Sequence, residues 1–375
     1  MEGIRHIGLM VESLNGYGGK ILTGISRFAH QKNNWRIAYF DRERKELADL
    51  VGSWQGDGII CSAIDQRFAD AAAGRGLPII NVTSRQIDPV FINVIGDDLS
   101  VGAKAAEFLL GRGFQSFAFL RRRETARFSA DRGKGFIGAV EAAGFKVRSL
   151  AIGTAGDDEL AEWLAGLARP LAVLGSTDRL AAMVIEACWK LGLRVPEEIA
   201  VLGIGNHDQL CELCSPTLSS VDVDMERRGY QAALWLDRIL EGEARPAEPV
   251  LIPPTFLAER RSTDVYAFDD PDVVAALRFI HDHASQNIKV TDVVAATRLS
   301  RRSLEGRFNK LVAHTLHEEI WQAHFDLATR LLASTDLSLH DVAGRSGFRT
   351  ASALVNLFRL RFGQTPKEYR VANRR

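Results

Sequence analysis

Gly16, Gly18, Gly19 and Lys20 stand together in "LNGYGGKILTG" (14–24). This is the combination that cradles phosphate, because glycine lets backbone N–H groups approach an oxyanion and lysine brings charge. The phosphate motifs fail residue by residue. A P-loop needs Ser or Thr after its lysine to hold magnesium, whereas Ile21 follows Lys20, and Leu stands at 14 where the first glycine belongs. GxGxxG fails because Ile21 occupies the place of the third glycine. What remains is a turn into a helix N-terminus whose free N–H groups can receive an oxygen-rich ligand, or a tight turn and nothing more.

The pair Cys211 and Cys214 in "CELC" has a spacing used by zinc and by redox dithiols. A zinc ribbon needs a second pair, a thioredoxin-type motif opens a helix after a strand, and Pro216 follows at once; an ordinary loop with two free thiols is expected. With Cys61 and Cys188 the cysteines are too few and scattered for a disulfide framework, so a reducing compartment and no metal site are expected. The nine histidines include no HExxH, and no GxSxG occurs. Without a nucleophile and its base, or a cofactor loop, neither an enzyme nor a cofactor is expected.

The elements that must position any site alternate along 1–265. Apolar runs "HIGLMV", "WRIAYF", "GIICSAI", "LPIINV", "SFAFLR", "LAVLGS" and "IAVLGI" read as strands, and between them lie amphipathic segments such as "ILTGISRFAHQK" and "VGAKAAEFLLGRG". Strand, helix, strand at this spacing predicts an α/β fold of parallel, doubly wound sheets that bind ligands at the carboxyl ends of the strands. At 375 residues and 46% apolar content, two or three domains are expected. The formal charge is zero, yet residues 272–375 hold 16 Lys/Arg against 10 Asp/Glu, a net +6, balanced by −6 in 1–271. A basic tail on an acidic body suggests a polyanionic partner. No run approaches the ~20 apolar residues that span a membrane, and no leader pattern opens the chain, so a cytoplasmic protein without a membrane partner is expected.

Four stretches in order resemble the sugar-sensing domain of the lactose-repressor family: "VIGDDLSVGAKAAEFLLGRGFQSFAFL" (94–120), "DRGKGFIGAVEAAGF" (131–145), "STDRLAAMVIEACWKLGLRVPEEIAVLGIGN" (176–206) and "SPTLSSVDVDMERRGYQAA" (215–233). The resemblance implies a two-lobed, periplasmic-binding-protein-like sensor that closes on a sugar across a multi-strand hinge. It places Arg132 on the family's sugar-binding arginine; the alternative is a surface ion pair with Asp131 or Glu124. Asp97 falls at the hinge entry, as a hydroxyl acceptor or a helix cap, and Thr177 stands where the family often has Asn, with Asp178 expected to cap the next helix. Where the family carries an aspartate this chain has Gly205, leaving Asn206 as the nearest polar group.

After "RRSTDVYAFDDPD" (260–272) the chain repeats itself. "TDVVAATRLSRRSLEGRFNKLV" (291–312) and "LHDVAGRSGFRTASALVNLFRLRF" (339–362) share an alanine, a turn, and Leu and Phe four residues apart. Ala295 and Ala343 are offset by 48, Leu304/Phe308 and Leu354/Phe358 by 50, which predicts a turn two residues longer in the second copy. Each copy reads as helix-turn-helix. "LHEEIWQAHFDLATRLLAS" between them, with Ile320, Phe325, Ala328, Leu331 and Leu332 at helical spacing, predicts a long connecting helix.

"GFRTASALVNLFRLRFGQTPKEYR" (347–370) resembles the signature of the AraC-type transcription activators. The resemblance implies an all-α domain whose two motifs enter successive major grooves about 34 Å apart. It makes Arg302 and Glu305, with Arg301 nearby, base readers of the first motif, and Ser352 and Asn356 those of the second, Asn356 suiting adenine. Lys310, Arg349 and Arg359 become phosphate contacts. The order sensor then AraC-type tail is that of the D-xylose operon activators, which the chain resembles throughout. Those carry a sugar-contacting arginine at the position of Gly19, beside Lys20, with Tyr17 a stacking face for the ring.

The expected domains are a sugar-sensing, dimerising unit (1–262), a linker (263–272) and a DNA-binding unit (273–375). The expected function is a sugar-responsive regulator that binds double-stranded DNA as a homodimer, an activator of pentose (xylose-like) catabolic genes that meets RNA polymerase. The alternatives are a repressor answering to a different sugar, or a sugar-binding module without regulatory role.

Overall fold

The computed structural model describes residues 3–373 apart from 12–16, 41–43, 63–65, 73–74, 86–89, 124–125 and 154–156. The first part of the opening glycine stretch, 14–16, and Glu124 therefore lie outside the described residues. A first lobe is built from β1 (Arg5–Met10), α1 (Tyr17–Lys32), β2 (Trp35–Tyr39), α2 (Arg44–Ser53), β3 (Gly58–Cys61), α3 (Gln66–Ala72), β4 (Ile79–Asn81) and β5 (Ile92–Gly96). The chain then crosses to a second lobe: α4 (Asp98–Gly111), β6 (Ser116–Arg122), α5 (Arg127–Ala142), β7 (Val147–Ile152), α6 (Asp157–Ala165), β8 (Leu171–Gly175), α7 (Asp178–Leu191), β9 (Ile199–Ile204), α8 (Asp208–Leu213) and β10 (Ser219–Val221). It returns with α9 (Met225–Leu240) and β11 (Val250–Ile252), and crosses a third time to β12 (Leu257–Ala258).

The strand orders are β11-β5-β4-β3-β1-β2 and β12-β10-β9-β8-β6-β7, parallel except for β12 against β10. Every strand expected from its apolar run is present. Short β10, β11 and β12, and β7 with its half-exposed "VRSLAI", carry too little apolar signal to stand out. Three crossovers make the hinge, cross-linked where Asp97 N–H donates to the Ile252 carbonyl (2.8 Å) and Asp222 N–H to that of Phe256 (2.9 Å).

Around the hinge, helices pack backbone against backbone. A Cβ on Gly102 of α4 would lie 2.0 Å from the Arg132 carbonyl oxygen, and one on Gly135 of α5 would lie 2.0 Å from that of Leu99. Only glycine permits this approach, which brings the N-terminal end of α4 and the start of α5 to one place.

The tail holds α10 (Pro271–Asp282), α11 (Val290–Ala295), α12 (Arg301–Val312), α13 (Leu316–Ser334), α14 (Leu339–Arg345), α15 (Ala351–Phe362) and α16 (Pro366–Asn373). Leu304 and Phe308 anchor one small core, Leu354 and Phe358 a second, and α13 contributes to both. The two helix-turn-helix connections, 296–300 and 346–350, are equal in length. The two extra residues of the second copy therefore extend α14 beyond Ala343 rather than lengthen the turn. Glu319 on α13 accepts from His281 and His314. Burial alone would raise its carboxyl, and these two bonds outweigh that and hold it at about 2.

The segment 263–272 is no free tether: Tyr266 is buried, and Ala267 N–H donates to the Arg112 carbonyl at 2.7 Å. Among the described residues no helix is long and apolar enough to cross a membrane.

Gly102→Ala should lower stability by about 1–3 kcal/mol in urea unfolding, because the added methyl meets backbone that cannot yield. Gly138→Ala on α5, where a Cβ meets nothing within 4 Å, should instead raise it by up to about 1 kcal/mol through helix propensity.

Candidate ligand cleft and nucleic-acid interface

A cavity of about 340 Å³ opens between the lobes at the carboxyl ends of their strands, within the size range of small-molecule sites. Arg132 reaches its floor from α5, where it is 5% exposed. Its Nε donates to Asp98 at 2.8 Å, its Nη1 to the Ser176 carbonyl at 2.7 Å, and its guanidinium lies over Phe128. The surface pairing is thus not adopted. Asp131 instead meets Arg127 and Lys134.

Asp97 and Asp98 divide two tasks. Asp97 caps α4, its carboxylate accepting the N–H and hydroxyl of Ser100. Asp98, one residue on, turns inward to Arg132. The carboxylate at the hinge entry that faces the cavity's arginine is therefore Asp98, since the cap bonds turn Asp97 away.

Thr177 lines the cavity and caps α7 by accepting from Leu180 N–H. Asp178, expected as that cap, is buried and accepts from the Ser220 hydroxyl and His207 N–H, and burial pushes its carboxyl up.

Tyr17 opens α1 and forms cavity wall. A Cβ on Gly205 would lie 2.3 Å from the Tyr17 hydroxyl oxygen, and Gly205 has φ +130°. The Tyr17 ring thus occupies the volume into which a side chain at 205 would project, and burial pushes its phenol up.

Gly19, Lys20 and Asn206 do not line the main cavity but a second pocket that shares Tyr17 with it. Gly19 faces open space. Lys20 Nζ straps the lobes, donating to the Asn206 carbonyl (2.8 Å) and pairing with Asp208 (3.1 Å). The Asn206 side chain is engaged at both ends, its amide donating to Asp222 and its oxygen accepting from Arg260. Its bonds make it a hinge residue rather than a free ligand donor.

Arg228, on α9, was not anticipated. It lines the same cavity and is 3% exposed. Its signal in the sequence is a cation on the apolar stripe of an amphipathic helix, in register with buried Ala232 and Leu236. Ser84 and Arg179, also on the cavity wall, left no such signal. The cysteine pair, expected in a loop, reaches onto the short helix α8 with Cys211 buried inside it, and both thiols are free. Among the described residues no cluster of metal-ligating side chains occurs.

In the tail, helix caps at Ser300 and Thr350 start the second helix of each motif. Arg301 and Glu305 pair with each other at 2.8 Å on the outer face of α12, beside exposed Arg302. Lys310, Arg349, Ser352, Asn356 and Arg359 are all exposed. One side of α12 and α15 is thus buried through Leu and Phe, and the other presents donors outward, the arrangement a groove-reading helix needs.

Because a lone buried charge remains when either partner is removed, Arg132→Ala and Asp98→Ala should each cost about 3–5 kcal/mol in urea unfolding. The double variant should cost less than the sum. Additive losses would show that the two side chains are not coupled.

Residues 106–263 match the periplasmic binding protein-like domain family, and residues 293–372 a helix-turn-helix domain family. The xylose operon regulatory protein of Escherichia coli strain K12 is 30% identical over 385 residues, spanning 98% of this chain and 98% of that protein. That of Haemophilus influenzae is 27% identical over 378 residues, 97% of this chain and 98% of the relative. The solved structure of a xylose-binding transcription activator matches all of both chains at 29% identity with a TM-score of 0.63. A ribose-bound regulator from Enterococcus faecium, 23% identical over 70% of this chain and all of its own, has the sensor's fold at a TM-score of 0.59. These relatives are transcription regulators, and so the chain is a DNA-binding regulator rather than an enzyme. It belongs to the family of xylose operon regulatory proteins, with a sugar-binding sensor of periplasmic-binding-protein fold joined to an AraC-type helix-turn-helix domain.

Proposed function

We propose that the chain activates pentose catabolic genes from the cytoplasm, binding operator DNA as a homodimer in response to a sugar-derived effector in the interlobe cavity and contacting RNA polymerase when bound. The xylose-regulating relatives support the gene class. One observation supports the coupling: α4 joins the two sites. Asp98 at its N-terminal end holds Arg132 on the cavity floor. Arg112 at its other end, about 20 Å away, lies over Tyr266, pairs with Glu259 and accepts from Ala267 N–H. Glu259 in turn stands 3.9 Å from Arg330 on α13, the helix that carries both DNA-reading motifs.

The lobes are drawn together here by the Lys20 strap, by Tyr17 on Gly205, and by Arg127 and Phe128 N–H groups donating to the carbonyls of Arg85 and Ser84. An effector that bridges the lobes adds to these contacts only when they are closed, and shifts the population accordingly. A change from nearly all open to nearly all closed takes about 5.5 kcal/mol of differential binding.

In the tail, Asn356, Ser352 and Arg302, with Glu305 and Arg301, are the side chains assigned to bases; Lys310, Arg349 and Arg359 are assigned to phosphates. In the main cavity Arg132, Tyr17 and Thr177 are assigned to the effector.

Mobility shift with promoter DNA and a sugar panel checks this function, and the absence of DNA binding in every condition would sink it. Asn356→Ala should weaken the specific site by about 1–3 kcal/mol and leave random DNA unaffected. Arg359→Ala should weaken both alike. Glu259→Ala should leave effector binding intact in calorimetry while removing the effector's influence on DNA affinity.

A further inference from the structure

The cavity between the lobes is lined by four arginines, Arg85, Arg132, Arg179 and Arg228, and among the described residues lining it none is Asp or Glu. Arg132 is occupied by Asp98 and the Ser176 carbonyl. Arg228 is not. It is almost wholly buried, and its Nη1 lies 3.4 Å from the Val82 carbonyl, at the long limit of such a bond. Its Nε and Nη2 have no hydrogen-bond partner among the described residues. Those two nitrogens share the guanidinium edge whose N–H bonds run parallel, the edge that matches the paired oxygens of a carboxylate or a phosphate. Burial pushes the guanidinium down to about 10, against the pull of Asp98.

A buried cation with empty donors lowers the stability of the ligand-free chain. A neutral polyol could fill the donors but not balance the charge. Exposed Arg85 and Arg179 at the same wall, without an ion pair among the described residues, add to the positive potential. Ser84, Thr83 and Thr177 remain for hydroxyls, and Tyr17, Phe128 and Met225 for the apolar face of a ring or chain.

We propose that the effector is an anionic sugar derivative, a small polyhydroxylated carboxylate or phosphate ester whose charged group sits on Arg228 in the interlobe cavity. This rests on that cavity being the effector site and specifies the charge of what it takes.

Calorimetry on the full chain would compare D-xylose, D-ribose and D-glucose with D-xylonate, D-gluconate and D-glucuronate, and with D-xylose 5-phosphate and D-glucose 6-phosphate. At least one anion should bind roughly tenfold or more tightly than any neutral sugar, and its binding should weaken with salt. The carboxylate and phosphate arms separate the two sources. Arg228→Met should remove the preference for the anion and raise the thermal midpoint of the ligand-free chain. Tighter or equal binding of a neutral sugar would overturn the proposal and leave the sugar-sensor function standing. A lowered midpoint with equal loss of every ligand would make Arg228 structural and overturn it too. No binding by any compound, with promoter binding intact, would overturn both the proposal and the sugar-derived effector.

Discussion

The buried pair between Arg132 and Asp98 is the interaction around which the sensor is arranged. Taking two charges out of water is expensive and is repaid only when geometry and additional hydrogen bonds are good. Here α5 supplies the cation, α4 the anion and the end of β8 the carbonyl of Ser176. Three elements must therefore meet at one place. The glycines of α4 and α5 allow it, because their backbones touch where any side chain would hold the helices apart.

The hinge follows the same logic. Its crossovers carry Asp222 and Asp224, both buried, and each is tied to a neighbour: Asn206 donates to Asp222, and the Thr255 hydroxyl donates to Asp224. Burial and then Asp222 push Asp224 up to about 6. Charge concentrated at the junction of two lobes makes their relative position sensitive to what enters between them. The far end of α4 is held in the same manner, with Arg112 sandwiched between Phe108 and Tyr266 and paired with Glu259. Both ends of α4 are thus fixed by charge pairs, one at the cleft and one at the base of the tail.

This chain departs from the expected sensor pattern at two of the places where ligand residues were sought. Gly205 lacks a side chain because Tyr17 fills that space, and Gly19 opens onto solvent beside the strap formed by Lys20. Polar capacity is found instead on α9, in Arg228, within the sensor-like stretch 215–233 from which no ligand residue was singled out.

Much of this was legible in the sequence for a physical reason. Apolar runs and helical periodicity report local burial, so seven strands, the connecting helix 316–334 and the paired Leu and Phe of each tail motif could be read directly. The net +6 of the tail and its duplicated helices likewise need no tertiary knowledge. Which of two adjacent aspartates turns inward, whether an asparagine is free or bound at both ends, and which buried arginine keeps two nitrogens unbonded among the described residues depend on atoms brought together from distant parts of the chain. Asp97 and Asp98 are neighbours with the same side chain, and only the cap bonds to Ser100 separate their tasks. The sequence by itself determined an α/β body of parallel sheets and a basic tail with a duplicated helix-turn-helix, because burial periodicity and charge partition are local; the two lobes of the sensor came only as what the family resemblance implied. The tertiary structure alone decided the chemistry of the cleft, because a buried donor's partners lie across a fold and not along it.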